Sequence, residues 1–243
     1  MKESVHMTTG NYLLDAMSPE LYEKLAPNLK RVSLKQGTIL HHPGETIEDL
    51  YFPIDCGISI TITMKNGSTA EAGIIGRREV LGINAIMGGK ETTQTEYIVQ
   101  IAGSAIKIDA PALLEEFDRN KELRGVLLRF TQAMIAQISQ TTACNSLHVL
   151  EQRLARWLLE SQDRINTNEI KLTQEFLSHM LGVRRAGITQ TAQKFQEKGL
   201  IQYHRGIVQI LDQKGLEEAA CECFRTVREE YDRLLGIQQK DLR

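Results

Sequence analysis

Apolar residues recur along the chain with two different periods, and the changes of period divide it into segments. Ser18-Pro19 opens a stretch in which Leu21, Leu25 and Leu29 return every four residues, the spacing of one helix face, with Ser18 placed to cap the helix and Pro19 suited to its first position. From residue 31 to 110 the texture changes to short β-rich pieces between turn signals. Ile58, Ile60 and Ile62 alternate until Asn66-Gly67, which predicts a two-residue hairpin, and Gly37, Gly44, Gly57, Gly67, Gly73, Gly76 and Gly82 fall at intervals typical of an antiparallel roll. Pro111 starts a helical pattern that runs to about Asn145, along which Leu123, Leu127, Phe130, Met134, Gln137 and Thr141 follow a 4,3,4,3 spacing, with Val126, Ala133 and Ile138 widening the stripe. A helix of this length cannot bury its stripe on a short roll alone, so a second copy of the chain is expected across these six positions, the alternative being a core helix packed within one chain.

A further helical stretch, "SLHVLEQRLARWLLESQDRI", places Leu147, Leu150, Leu154, Trp157, Leu158 and Ile165 on one side and ends in the polar turn "NTNE". Thr173 then caps a helix whose apolar positions are Phe176, Leu177, Met180 and Leu181, and Gly182, able to take a positive φ, breaks it. The next helix begins after Val183 and turns Ile188, Ala192 and Phe195 inward. Helix, Gly-containing tight turn and helix is the spacing of a helix-turn-helix. "LIQYHRGIVQIL" adds two strand-like pieces joined at His204-Arg205-Gly206, a β-wing beside the helix pair, and the stretch after 213 reads as one amphipathic helix covering this wing domain. The expected architecture is α+β: a β-roll over residues 1–118, a dimerisation helix over 119–145 and a winged helix-turn-helix over 146–243.

Charge locates the chemistry. The chain of 243 residues carries a net charge of −2, yet residues 171–210 hold Lys171, Arg184, Arg185, Lys194, Lys198 and Arg205 against Glu175 and Glu197, a local +4 that leaves −6 for the remainder. Such asymmetry fits a local polyanion contact. Arg184, Arg185, Gly187, Thr189, Gln190, Gln193 and Lys194 stay outside or partly outside on the second helix, and those near its N-terminus are types that reach base edges or phosphates, so the module is expected to bind double-stranded DNA. No run of about 18 apolar residues exists that could cross a bilayer, and "MKESVHMTTG" has no apolar core of a signal peptide, so no membrane and a cytoplasmic location are expected.

The remaining reactive residues point away from catalysis. His6, His41, His42, His148, His179 and His204 are dispersed, and no HxxxH, GxSxG or phosphate-loop spacing occurs, so no catalytic residue is expected. Cys56, Cys144, Cys221 and Cys223 are too few and too scattered for a disulfide framework. Two residues apart on a helix, Cys221 and Cys223 would diverge by about 200°, so reduced thiols and no metal site are expected.

Over nearly its whole length the sequence resembles the Crp/Fnr family of bacterial transcription regulators, through "LTQEFLSHMLGVRRAGITQTAQKFQEKGLI" and "YHRGIVQILD" in the second half and "GTILHHPGE", "LYFPIDCGISI" and "VLGINAIMGG" in the first. The resemblance implies a cyclic-nucleotide-binding-like roll, a dimerisation helix and a winged helix. It implies a homodimer on an imperfect DNA palindrome, with RNA polymerase as a further partner. Many members offer an Arg-Glu pair and a later Arg to base edges. Here Arg185 keeps the first arginine, Ala186 stands where the Glu would be and Gln190 where the later Arg would be, which implies a different half-site. Arg185 suits guanine and Gln190 suits adenine, whereas Arg184, Thr191, Lys194 and Arg205 suit phosphates. Thr173, Gln174, Gly187, Thr189 and His204 complete the expected DNA-binding set.

In cyclic-AMP-binding members a Gly-Glu pair holds the ribose and an Arg further on holds the cyclic phosphate. This chain keeps Gly82, but Ile83 takes the Glu position and Thr93 the Arg position. A buried phosphate without a cation is costly, so cyclic AMP in the usual pose is not expected. Cyclic di-GMP is the leading candidate, because arginine stacks on guanine and pairs with phosphate. Arg77, Arg78, Gly82, Asn84, Thr93, Arg124 and Arg129 form the expected effector-binding set. The alternatives are another small anionic effector such as 2-oxoglutarate, a ligand-free scaffold, or a sensor acting through protein partners. An iron-sulfur cluster is not expected, since Cys56 alone cannot supply the ligands, nor is haem, since "ILHHPGE" occupies a surface turn in the family.

Overall fold

The computed structural model describes residues 8–88 and 92–236; His6 and the outermost residues of the expected first and last segments lie outside them. Capping chemistry sets the first helices. The Asn11 side chain accepts from Leu13 N and Leu14 N at the start of α1 (Tyr12–Asp15), and its amide donates to Pro53 O at 2.8 Å and Glu79 O at 3.0 Å, tying α1 to the roll. Ser18 caps α2 (Pro19–Leu25), with Leu21 and Leu25 buried.

The roll consists of β1 (Lys30–Leu34), β2 (Ile39–His41), β3 (Asp49–Pro53), β4 (Gly57–Thr63), β5 (Thr69–Ile75), β6 (Glu96–Ile101) and β7 (Gly103–Asp109). They form two antiparallel sheets ordered β1-β7-β3 and β2-β6-β4-β5. The β4–β5 turn differs from the two-residue hairpin predicted at Asn66-Gly67. Gly67 N donates to Met64 O and Met64 N donates to Ser68 O, leaving the loop Lys65-Asn66-Gly67 with Gly67 at φ 83°. That is the longer hairpin solution, in which glycine supplies a single left-handed residue.

Helices α3 (Ala110–Arg119) and α4 (Lys121–Leu147) replace the continuous helix expected from Pro111 to Asn145. The break is at Asn120, which is extended and whose side chain accepts from Glu122 N and Leu123 N to cap α4. Leu123, Leu127 and Phe130 are fully buried in the core that fills the roll, Met134 packs against that core, and Gln137 is buried and accepts from the Tyr231 hydroxyl at 2.7 Å. The stripe expected to face a second copy is therefore the inner face of this chain, and with Thr141, whose hydroxyl accepts from Arg156, it cannot be the dimer seam. The sequence pattern misleads because α4 is apolar on two sides: Leu128, Ile135 and Ile138 form an exposed stripe one residue further on.

The second half contains α5 (Leu150–Ile165), β8 (Glu169–Lys171), α6 (Gln174–Leu181), α7 (Arg185–Glu197), β9 (Ile201–His204), β10 (Ile207–Ile210), α8 (Gln213–Ala219) and α9 (Cys223–Leu235). The single covering helix expected after 213 is two helices with different partners. Leu216 of α8 is buried in the winged-helix core, whereas Val227, Tyr231, Leu234 and Leu235 of α9 join the core of the roll and α4. The roll and α5 meet closely. A Cβ at Gly76 would lie 2.3 Å from Arg164 Cβ, so only glycine permits the approach, and Arg77 N then donates to Arg164 O at 3.1 Å.

Candidate DNA interface and sensor site

Helices α6 and α7 are set by local chemistry. Thr173 accepts from Phe176 N at 3.1 Å to start α6, and Gly182 ends it at φ 62°, ψ 40°. Ile188, Ala192 and Phe195 anchor α7 in the core, which leaves Arg184, Arg185, Ala186, Thr189, Gln190, Gln193 and Lys194 exposed. Arg184 and Arg185 have no carboxylate partner among the described residues, so their guanidinium groups are free for an anion. Thr189 Oγ donates to Gln174 Oε1 at 2.6 Å, which locks the α7 face to α6.

Beyond α7 the wing is a three-stranded sheet ordered β8-β10-β9. His204 pairs with Ile207 around the two-residue turn Arg205-Gly206, whose φ values of 46° and 78° are the pair a tight hairpin of this twist requires. Both His204 and Arg205 are exposed at its tip. The DNA set read from sequence thus divides. Two members point the wrong way: Thr191 is 6% exposed, because it lies on the same face as Ile188, Ala192 and Phe195. A Cβ at Gly187 would sit 3.0 Å from Leu150 Cδ2, so this glycine serves close packing on α5. Lys194 is exposed, but shares Glu151 with Lys198 at 3.6 and 2.9 Å, and these ammonium groups hold the Glu151 carboxyl below its usual range, Lys198 chiefly.

In the roll, Gly82 takes φ 90° and a Cβ there would lie 3.0 Å from Asp49 O, so glycine is required to open the turn at residues 83–86. Asn84 accepts from the Tyr97 hydroxyl at 3.1 Å, and Thr93 and Thr95 share a hydrogen bond of 2.8 Å beside it. Burial raises the Tyr97 phenol above its ordinary range, with Thr95 and Thr93 opposing. Gly82, Asn84 and Thr93 are therefore brought together, as an uncharged cluster among the described residues. His41 also departs from the surface turn expected for it: it is buried on β2 with its ring 5.1 Å from that of Tyr97, while His42 is exposed. The neighbouring cavity of about 580 Å³ is rimmed by Glu45, Glu48 and Asp49, which disfavour a phosphate.

The arginines expected to hold an effector are mostly occupied. Arg78 is 3% exposed and pairs with Asp163 at 3.0 Å and Asp232 at 2.8 Å. Arg77 donates to Asp163 O at 2.9 Å and lies 4.8 Å from the centre of the Tyr12 ring. Arg124 caps the end of α3 through Phe117 O and Asp118 O, which leaves Arg129 as the one exposed member of the four. Burial drives these pairings, because an arginine removed from water needs a carboxylate or carbonyl.

Sequence reading also passed over the polar seam between the halves. Arg164, buried on α5, pairs with Glu79 at 3.2 Å, and Arg156 pairs with Glu160 at 2.8 Å. Glu71 accepts from Ser59 Oγ at 2.5 Å and from the Trp157 indole at 2.8 Å, while burial raises its carboxyl above the usual range. The partners are 85 residues apart for Arg164 and Glu79, so no local spacing could announce them.

Comparison with known proteins agrees with this geometry. Residues 31–120 match the cyclic nucleotide-binding domain family, and residues 152–219 match the Crp-like helix-turn-helix domain family. A CRP-like cAMP-activated global transcriptional regulator of Mycobacterium tuberculosis is 23% identical over 216 residues, covering 86% of this chain and 96% of that protein. Among solved structures, a Crp/Fnr family regulator from Eubacterium rectale superposes with a TM-score of 0.66 at 21% identity, covering 85% of this chain and 96% of that one. FixK2 of Bradyrhizobium japonicum gives 0.68 at 12%, covering 79% and 98%. The c-di-GMP responsive regulator CLP of Xanthomonas campestris gives 0.64 at 14%, covering 79% and 99%.

Proposed function

This chain belongs to the Crp/Fnr family of transcription regulators, and from that premise we propose that it is a homodimeric, sequence-specific DNA-binding protein that presents two α7 helices to successive major grooves of an imperfect palindrome. The observation that carries the reading is the exposed Arg184-Arg185 at the start of α7, without a carboxylate partner among the described residues, with Gln190 five residues on and Arg205 at the wing tip. Arg185 pairs with guanine and Gln190 with adenine, while Arg184 and Arg205 hold phosphates. The exposed stripe Leu128, Ile135 and Ile138 on α4 recurs at seven- and three-residue intervals, which suits a second α4 across a two-fold axis. RNA polymerase is the further partner this reading implies.

Effector control is the narrower part of the proposal. Ile83 and Thr93 in place of the two charged anchors speak against cyclic AMP in its usual pose. For cyclic di-GMP one candidate arginine, Arg129, stays exposed beside Leu128 at the proposed seam, and its support beyond that is that the similar Xanthomonas regulator is c-di-GMP responsive. The test selects an operator from a random duplex pool and measures its affinity against salt, with and without cyclic di-GMP or cyclic AMP. Selection of a palindrome and a steep fall in affinity with salt are expected. Failure to enrich any duplex refutes DNA recognition, and an unchanged affinity with cyclic di-GMP removes that effector while leaving the DNA reading intact.

A further inference from the structure

Apart from both sites stands a core made of sulfur. Cys144, Cys221 and Cys223 form their own buried cluster, at 0%, 5% and 0% exposure. Cys144 Sγ lies 3.5 Å from Cys221 Sγ, and Cys223 Sγ lies 3.5 Å from His148 Nδ1. The ligand atoms of all four residues fall within 4.8 Å of one another. The divergence expected of Cys221 and Cys223 does not arise, because Cys223 is the first residue of α9 and Cys221 lies in the turn before it, so the two thiols are not on one helix face.

We propose that Cys144, His148, Cys221 and Cys223 form a structural zinc site. Tetrahedral bonds of about 2.3 Å to sulfur and about 2.0 Å to nitrogen put neighbouring ligand atoms roughly 3.5–3.8 Å apart, close to the 3.5 Å of the Cys144–Cys221 and Cys223–His148 pairs, with the remaining pairs inside 4.8 Å. A disulfide needs sulfurs about 2.05 Å apart, far closer than the 3.5 Å of Cys144 and Cys221. The surroundings are those of a metal centre. His148 presents Nδ1 to the cluster, while its Nε2 lies 3.4 Å from Glu222 Oε2, a carboxylate placed to orient the ring. Gln140 donates to Cys223 Sγ at 3.1 Å. Three thiolates and a neutral imidazole around a divalent ion leave one negative charge, and Arg153 and Arg156 line the same hollow as Cys144, Arg156 being already paired with Glu160.

The ion would join three segments that lie apart in the sequence and that packing already brings together. Cys144 is in the last turn of α4, His148 is the extended residue between α4 and α5, and Cys221 and Cys223 begin α9. Zinc at this point fixes the angle between the long helix and the winged half and pins α9 to α4.

The proposal is tested on the full chain purified without chelator, by elemental analysis and thiol titration. About one zinc per chain is expected, and Cys223→Ser and His148→Ala should each lower the content by about tenfold or more. Cys56→Ser, in the roll core and away from the cluster, should keep it. Because a cysteine variant can misfold, cobalt exchange into the wild-type chain supplies a second readout: the strong visible bands of a tetrahedral cobalt thiolate, lost again on adding zinc. Wild-type protein that takes up neither zinc nor cobalt while all four thiols titrate overturns the proposal. So does a Cys144–Cys221 disulfide in protein isolated anaerobically, which would make the cluster a redox pair.

Discussion

The chain contains two arginine doublets, Arg77-Arg78 in the roll and Arg184-Arg185 at the start of α7, and they meet opposite fates. Both doublets lie within two residues of a glycine. The first is drawn between the roll, α5 and α9, where Arg78 is held by Asp163 and Asp232. The second stays in solvent with no carboxylate beside it among the described residues. The same residue type is structural in one place and available in the other, and what decides is whether a second element packs over it. Burial obliges an arginine to find acids, whereas an exposed one keeps its charge for a ligand.

Removing the buried doublet's anchor should have the largest effect. Arg78→Ala leaves Asp163 and Asp232 without their cation and is expected to cost about 3 kcal/mol in urea unfolding, with the preferred half-site unaltered. A change in base preference instead would place Arg78 at the DNA. Arg185→Ala should do the reverse: a loss of roughly 1–3 kcal/mol in discrimination at one base pair, read by competition between operator variants, with stability altered by no more than about 0.5 kcal/mol.

The seam around the first doublet should also show in pH dependence. Burial raises the Glu71 carboxyl in the folded chain, so the folded state binds that proton more tightly than the unfolded one. Its contribution to stability is full below the ordinary value of about 4.3 and is lost as pH rises through the folded-state value. Glu71→Gln keeps hydrogen bonds to Ser59 and Trp157 and should flatten this fall, gaining on the order of 1 kcal/mol at neutral pH. An unchanged pH profile would show that Glu71 ionises as freely as in water. The smallest effect is expected at the wing. Arg205→Ala should weaken all duplexes alike and lower the salt slope by about one, with no change in sequence preference.

Legibility in the sequence followed the range of the interactions. Ser18, Thr173 and Gly182 could be read because a cap or a left-handed turn is decided within four residues. The α7 face was read nearly whole from its period, and Thr191 was misplaced because the inner face is broader than three residues suggest. The α4 stripe was seen, but its direction was not, since an apolar helix face fits its own roll as readily as another copy. The zinc ligands gave the weakest signal: Cys144 and Cys221 are 77 residues apart, and the pair at 221 and 223 looked divergent only under the assumption of a continuous helix.

The sequence by itself determined the order of the elements, the helix-turn-helix with its wing and the local positive charge, because propensity, capping and periodicity act between neighbours along the chain. Only the tertiary structure decided which arginines remain free, which face of α4 is spent inside and which thiols meet. These depend on what packs across them, and burial assigns partners over distances that no local pattern records.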